Sequence, residues 1–174
     1  VGFASEFFRD HTIGQQWQGI IARLSRESFE VTAFSFARNH DAVAEAIRKA
    51  ADHYVELPPD LAAARQWVAG AALDVLVYPD VGMNRESYAL ALSRLAPVQC
   101  VGWGHPVTSG LTTVDYFLSS ELLETGAADE HYTERLVRLK TLGLYLDRPR
   151  LPWPPKTRAD FGLPEGKHLY GCLQ

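Results

Sequence analysis

Leu73-Asp74-Val75-Leu76-Val77-Tyr78 is an almost unbroken apolar run, closed by Pro79-Asp80 and then Gly82. It is far shorter than the roughly 20 residues a membrane-crossing helix needs. It does not alternate apolar with polar, as a half-buried strand would. A strand covered on both faces fits it, and such strands belong to parallel sheets with helices packed on either side. Downstream, Asn84 is placed to cap a helix over residues 85–95, which Pro97 ends, and residues 98–103 form the next buried strand. Shorter strands are expected at 114–119 and 136–139. Upstream, residues 1–5 and 53–57 read as strands, and the alternating, aromatic-rich stretch FEVTAFSFA predicts another over 29–37. Between them, Trp17, Ile20, Ile21 and Leu24 recur at helical spacing, as do Val43, Ala46, Ile47 and Ala50 behind Asp41. Asp60 is placed to cap a helix that Gly70 stops. Strand and helix alternating every 25–30 residues or so imply βαβ crossovers. The predicted fold is therefore α/β, a Rossmann-like, doubly wound, mostly parallel sheet.

After Leu144 the texture changes. DRPRLPWPPK (residues 147–156) holds four prolines and forms no regular element. A short capped helix is expected over 157–163, and 168–173 reads as a strand opening something new. The chain is thus divided into a lobe at 1–146, a connector at 147–167 and the first strand of a second lobe at 168–174. Both ends look cut, so the sequence reads as a piece of a longer protein.

Composition narrows the class. With 47% hydrophobic and 22% charged residues, this is a globular profile, not a disordered one. A net charge of −4 argues against nucleic acid as a partner, and no apolar run argues for a membrane. Cys100 and Cys172 both sit in apolar surroundings and read as small buried hydrophobes, so a reducing, cytoplasmic setting is the expectation. Six histidines and two distant cysteines show no metal-ligand spacing, and neither a Gly-x-Gly-x-x-Gly nor a Walker-type phosphate loop is present; no metal and no cofactor are expected.

In an open parallel sheet, ligands bind beyond the carboxyl ends of the strands. The loop after the first strand carries His11 just before a helix, where it serves either a ligand or the helix end. The loop after Val77 carries Asp80, which either binds a ligand or closes an Asx turn, and Asn84. The loop after Trp103 reads Gly104-His105-Pro106-Val107-Thr108-Ser109-Gly110, a stretch able to present backbone groups and small hydroxyls, though such clusters also serve as plain turns. Glu121 and Glu124 read as a solvated helix start, and Asp129, Glu130 and Glu134 as solvated surface.

Four blocks in order then carry a family resemblance: Gly2-Phe3-Ala4-Ser5 through His11; Leu73 through Val77; Arg94 through Gly110 with Asp115-Tyr116; and Phe161 through Gln174. The chain resembles the catalytic region of the O-linked N-acetylglucosamine transferases and their SPINDLY-like relatives. The resemblance implies the first lobe of a GT-B architecture, in which two Rossmann-like lobes face each other across a cleft that holds a UDP-sugar. It implies inverting, metal-independent transfer of a sugar, N-acetylglucosamine, to a protein Ser or Thr hydroxyl. The UDP-sugar would be a substrate and not a cofactor, and the partners would be a protein or peptide acceptor, the second lobe and preceding tetratricopeptide repeats. By the same resemblance His11 is an active-site histidine. Gly104 and Pro106 border the sugar, and Gln174 contacts the nucleotide-sugar side. Asp80, Asn84, His105, Thr108 and Ser109 fall on the acceptor side. The family's Tyr-Lys pair after that glutamine, whose lysine neutralises the leaving diphosphate, lies beyond Gln174, so this piece alone would be inactive. Three positions depart from the family pattern: Thr12 for proline, Asn84 for lysine, and His105 for tyrosine. They leave sugar and acceptor open, and they motivate an alternative, a non-catalytic carbohydrate- or protein-binding module on the same fold. A response-regulator-like domain is a weaker third reading, since Glu6 alone does not make its acidic cluster.

Overall fold

The computed structural model describes residues 1–148 and 153–172. Seven strands, β1 (Gly2–Ser5), β2 (Thr32–Ser35), β3 (His53–Glu56), β4 (Val75–Tyr78), β5 (Val98–Val101), β6 (Tyr116–Ser120) and β7 (Arg135–Leu139), form one sheet in the order β3-β2-β1-β4-β5-β6-β7. Every pairing is parallel. The chain builds outward from β1 to one edge, then returns and continues from β4 to the other. This is the doubly wound order, with its switch point between β1 and β4.

Four helices cover the sheet: α1 (Thr12–Arg23), α2 (Ala42–Ala50), α3 (Leu61–Gly70) and α4 (Arg85–Ala91). Successive strand residues point to opposite faces, and two hydrophobic clusters follow. Phe3 and Val77 pack with Trp17, Ile21 and Ile47 of α1 and α2. Ala4, Leu76 and Tyr78 pack with Val68 and Leu90 of α3 and α4. The apolar texture of residues 73–78 has this cause: β4 is central and is buried from both sides. Tyr78 has no exposed surface, and its hydroxyl donates to Gln99 Oε1 (3.3 Å). Gln99 is equally buried and takes the Leu95 N–H (2.9 Å) while donating to the Thr113 carbonyl (2.7 Å). Those bonds satisfy a polar side chain that would otherwise cost free energy in the core.

Each helix start predicted from the sequence is capped as expected: Asp41 accepts from Val43 and Ala44 N–H, Asp60 from Ala63, and Asn84 from Ser87. Several boundaries differ. The second strand covers 32–35 and not 29–37, because the Phe29 N–H closes the preceding turn on Ser25 O and its side chain is 45% exposed. Helix α4 ends at Ala91, well before Pro97: the Ser93 N–H bonds Leu90 O, three residues back, which tightens the last turn out of the α pattern. The helix expected at 157–163 is a single 3-10 turn, Ala159–Phe161. Residues 168–172, expected as a strand, are irregular and exposed; a strand needs a neighbour to take its hydrogen bonds, and none pairs with them among the described residues. Cys100 is buried, but Cys172 is exposed for the same reason. Four residues of the proline-rich connector (149–152) and residues 173–174 lie outside the described residues. Among the described residues no helix is long and apolar enough to cross a membrane.

Candidate functional site: a cleft at the switch point

The loops leaving β1, β4 and β5 meet beyond the carboxyl ends of these strands. His11, Thr12, Ile13 and Gln16 form one side of a cleft of about 380 Å³. Met83, Trp103, Gly104 and Pro106 form the other. His11 and the Gly104–Pro106 segment, which the sequence placed on separate strand-end loops, therefore share one cavity.

His11 is the N-cap of α1. Its Nδ1 accepts the Ile13 N–H at 3.2 Å, so in the neutral ring the proton sits on Nε2. The ring stacks on Phe7 with centroids 4.2 Å apart and 20° between planes. Partial burial, and then the nearby Arg9 guanidinium, hold its pKa below the usual histidine value. The imidazole is thus a fixed, neutral hydrogen-bond donor. The loop that carries it is held by Asp41 of the α2 cap, which also accepts the Asp10 N–H at 2.8 Å. That bond, with those from Ala44 and Val43, depresses the Asp41 carboxyl.

The other wall depends on close backbone approach. A Cβ at Gly104 would land on the Pro79 carbonyl oxygen, and it would also crowd Ile13. Gly82 has φ +95° and lies under the His105 ring. His105 is half-buried against this turn and is not part of the cleft lining.

Asp80 is fully buried, so as placed it touches no ligand; its expected place on the acceptor side becomes a bracing one. Its Oδ2 accepts from Glu6 N–H (3.2 Å), Asn84 Nδ2 (2.6 Å) and Ser87 Oγ (3.1 Å). It thereby sutures the β1 loop to the β4 loop across the switch point. Asn84 is spent on this suture and on the α4 cap. Burial pushes the Asp80 carboxyl up to about 6, against the pull of those bonds. The folded state therefore favours the protonated form. The stability this gives is complete below the unfolded value near 3.8 and is lost as pH rises through about 6. Asp80→Asn can offer one oxygen to the same three donors, leaving its amide at the position of Oδ1, which has no partner among the described residues. Urea midpoints should show the wild type gaining on this variant as pH falls from about 7 to 5. Parallel curves would refute the assignment.

Thr108 and Ser109, expected to face an acceptor, are instead engaged by Glu134, which is 5% exposed and not on a solvated surface. Glu124 likewise starts no helix: it accepts from Ser119 Oγ (2.6 Å) and Tyr132 Oη (2.8 Å). Gln174 lies outside the described residues. Trp103, Met83 and Gln16 were missed in the sequence. The signal was there for Trp103, which lies two residues past the end of β5, whereas Gln16 joins the cleft only through the direction of α1. Among the described residues no group of three or more His, Cys, Asp or Glu side chains gathers as a metal site.

A doubly wound lobe with a cleft at its switch point defines the class: a Rossmann-like α/β lobe. The family follows from comparison. The profile of glycosyl transferase family 41 matches residues 1–145, and the chain belongs to that family. It is 24% identical, over 99% of its length, to a probable UDP-N-acetylglucosamine–peptide N-acetylglucosaminyltransferase (SEC) of Arabidopsis thaliana. It is 25% identical, over 78% of its length, to the Caenorhabditis elegans UDP-N-acetylglucosamine–peptide N-acetylglucosaminyltransferase. A mutant O-GlcNAc transferase from Thermobaculum terrenum superposes with a TM-score of 0.78 and 28% identity over 88% of this chain. The chain spans only 18% and 12% of those two curated relatives and 29% of the solved chain.

Proposed function

We propose that this chain is the first lobe of an inverting, metal-independent transferase that moves N-acetylglucosamine from UDP-N-acetylglucosamine to a Ser or Thr hydroxyl of a protein. The observation that carries the proposal is the common cleft of His11, Gly104 and Pro106 at the switch point of a family 41 lobe. His11 donates from Nε2 to sugar or acceptor. Its Nδ1 is occupied by the helix cap, so the ring serves as a donor and not as the general base. The apolar wall of Met83, Trp103 and Pro106 positions the reactants, and positioning is the task a first lobe can perform without charge chemistry of its own. A second lobe following residue 167 supplies the diphosphate contacts, with Gln174 at its opening. Tetratricopeptide repeats, a protein acceptor and a cytoplasmic setting complete the proposal.

The test is incubation of the full-length protein with labelled UDP-N-acetylglucosamine, UDP-glucose and GDP-fucose, together with Ser/Thr peptides. Transfer from UDP-N-acetylglucosamine is expected, with none by the 174-residue piece alone. Turnover by the isolated piece would overturn the two-lobe proposal. Sugar-nucleotide binding without transfer would point to the binding-module alternative.

A further inference from the structure

Glu134 stands just before β7, and its carboxylate is buried. Among the described residues no Lys, Arg or His forms an ion pair with it. It is compensated by hydrogen bonds alone. Oε1 accepts the Ser109 N–H at 2.8 Å and the Ser109 hydroxyl. Oε2 accepts from Thr108 Oγ1 at 2.7 Å and Thr133 Oγ1 at 3.2 Å. Thr108 Oγ1 in turn takes the Thr133 N–H at 3.0 Å. Burial pushes this carboxyl up, but the bonds from Ser109 and Thr108 outweigh it and keep it below the usual glutamate value. A buried carboxylate without a cation is costly unless its lone pairs are filled. Here the donors that fill them come chiefly from one loop, two and three residues along the chain from Pro106 in the cleft wall.

We propose that Glu134 is a positioning residue: by gathering Thr108 and Ser109 onto one buried carboxylate, it holds the 104–110 loop so that Gly104 and Pro106 face the cleft, and so governs binding of the sugar donor. The proposal rests on the transferase reading for its kinetic half and on this chain alone for its structural half. The loop has no regular backbone ladder, so its conformation is set by what its side chains grip. Glu134 grips it at the end opposite the Gly104–Pro79 crossing. Between these two fixed points the stiff Pro106 has little freedom.

Two readouts test it. In the full-length protein, Glu134→Gln and Glu134→Ala should speed amide exchange at Ser109, whose N–H the carboxylate holds, about tenfold or more, with β4 and β5 unchanged. In the full-length protein, the same variants should raise KM for UDP-N-acetylglucosamine about tenfold while KM for the acceptor peptide stays the same. Thr108→Val with Ser109→Ala, which breaks the clamp from the loop side, should reproduce that rise and add little in a Glu134→Gln background. Unchanged loop exchange overturns the clamp. Faster exchange across all strands overturns it too, by showing a general stabiliser. A loosened loop with an unchanged donor KM overturns the link to binding. If the wild-type full-length protein transfers no sugar, the transferase reading falls and the kinetic half with it, while the exchange result still decides the clamp.

Discussion

Replacing His11 by alanine in the full-length protein should lower sugar transfer about 100-fold, the typical cost of removing one fixed donor from a reacting centre. The imidazole is held on two sides, by the Ile13 N–H at Nδ1 and by the Phe7 ring at 4.2 Å, so Nε2–H is presented without reorganisation. The same change removes the α1 cap, which costs about 1 kcal/mol of stability. His11→Asn separates the two effects. Asparagine caps helices well, so this variant should recover the stability and still lack the distal donor. Transfer by His11→Asn at the wild-type rate would show that His11 acts only through the helix. Because the ring is already biased toward neutrality by burial and Arg9, transfer should lose no activity to His11 protonation as pH falls from about 8 to 7.

The second large effect is expected at Gly104. An added Cβ meets a main-chain oxygen, that of Pro79, which cannot swing aside as a flexible side chain would. Either the β5 loop lifts or the β4 loop yields. Gly104→Ala should cost about 3 kcal/mol, the upper part of the overpacking range, read as a lower urea midpoint. Transfer should fall by more than that loss explains, about 100-fold under conditions where the variant is fully folded, because lifting the loop moves Pro106 by the order of an ångström. A folded Gly104→Ala variant with wild-type turnover would remove this loop from the site.

These expectations draw unequally on sequence and structure. The sheet was legible because its central strands are apolar on both faces, and the helix starts because Asp41, Asp60 and Asn84 are strong local caps. The end of α4 was not legible: Pro97 pointed to a later stop, but the last turn tightens at Ser93, whose N–H bonds Leu90 O three residues back. Residues 168–172 show the converse failure. Apolar content alone predicted a strand, although a strand exists only where a neighbour completes its hydrogen bonds.

The site divides along the same line. Local sequence placed His11, Gly104 and Pro106 at strand ends, and the rule that ligands sit beyond those ends put them in one region. What each polar group does was decided by partners far along the chain. Asp80 reads as either a binding carboxylate or an Asx turn until the Glu6 N–H, 74 residues away, is found on it. Thr108 and Ser109 read as ligand hydroxyls until Glu134, 25 residues or more away, takes them. Glu134 itself reads as surface until the loop closes over it. From its sequence alone this protein determined a parallel, doubly wound lobe and the edge where its chemistry belongs, because periodicity and capping are written over a few residues. Only the tertiary structure decided which polar side chains face the cleft and which are spent bracing it, because burial and hydrogen-bond partnership depend on neighbours that the chain brings together by folding.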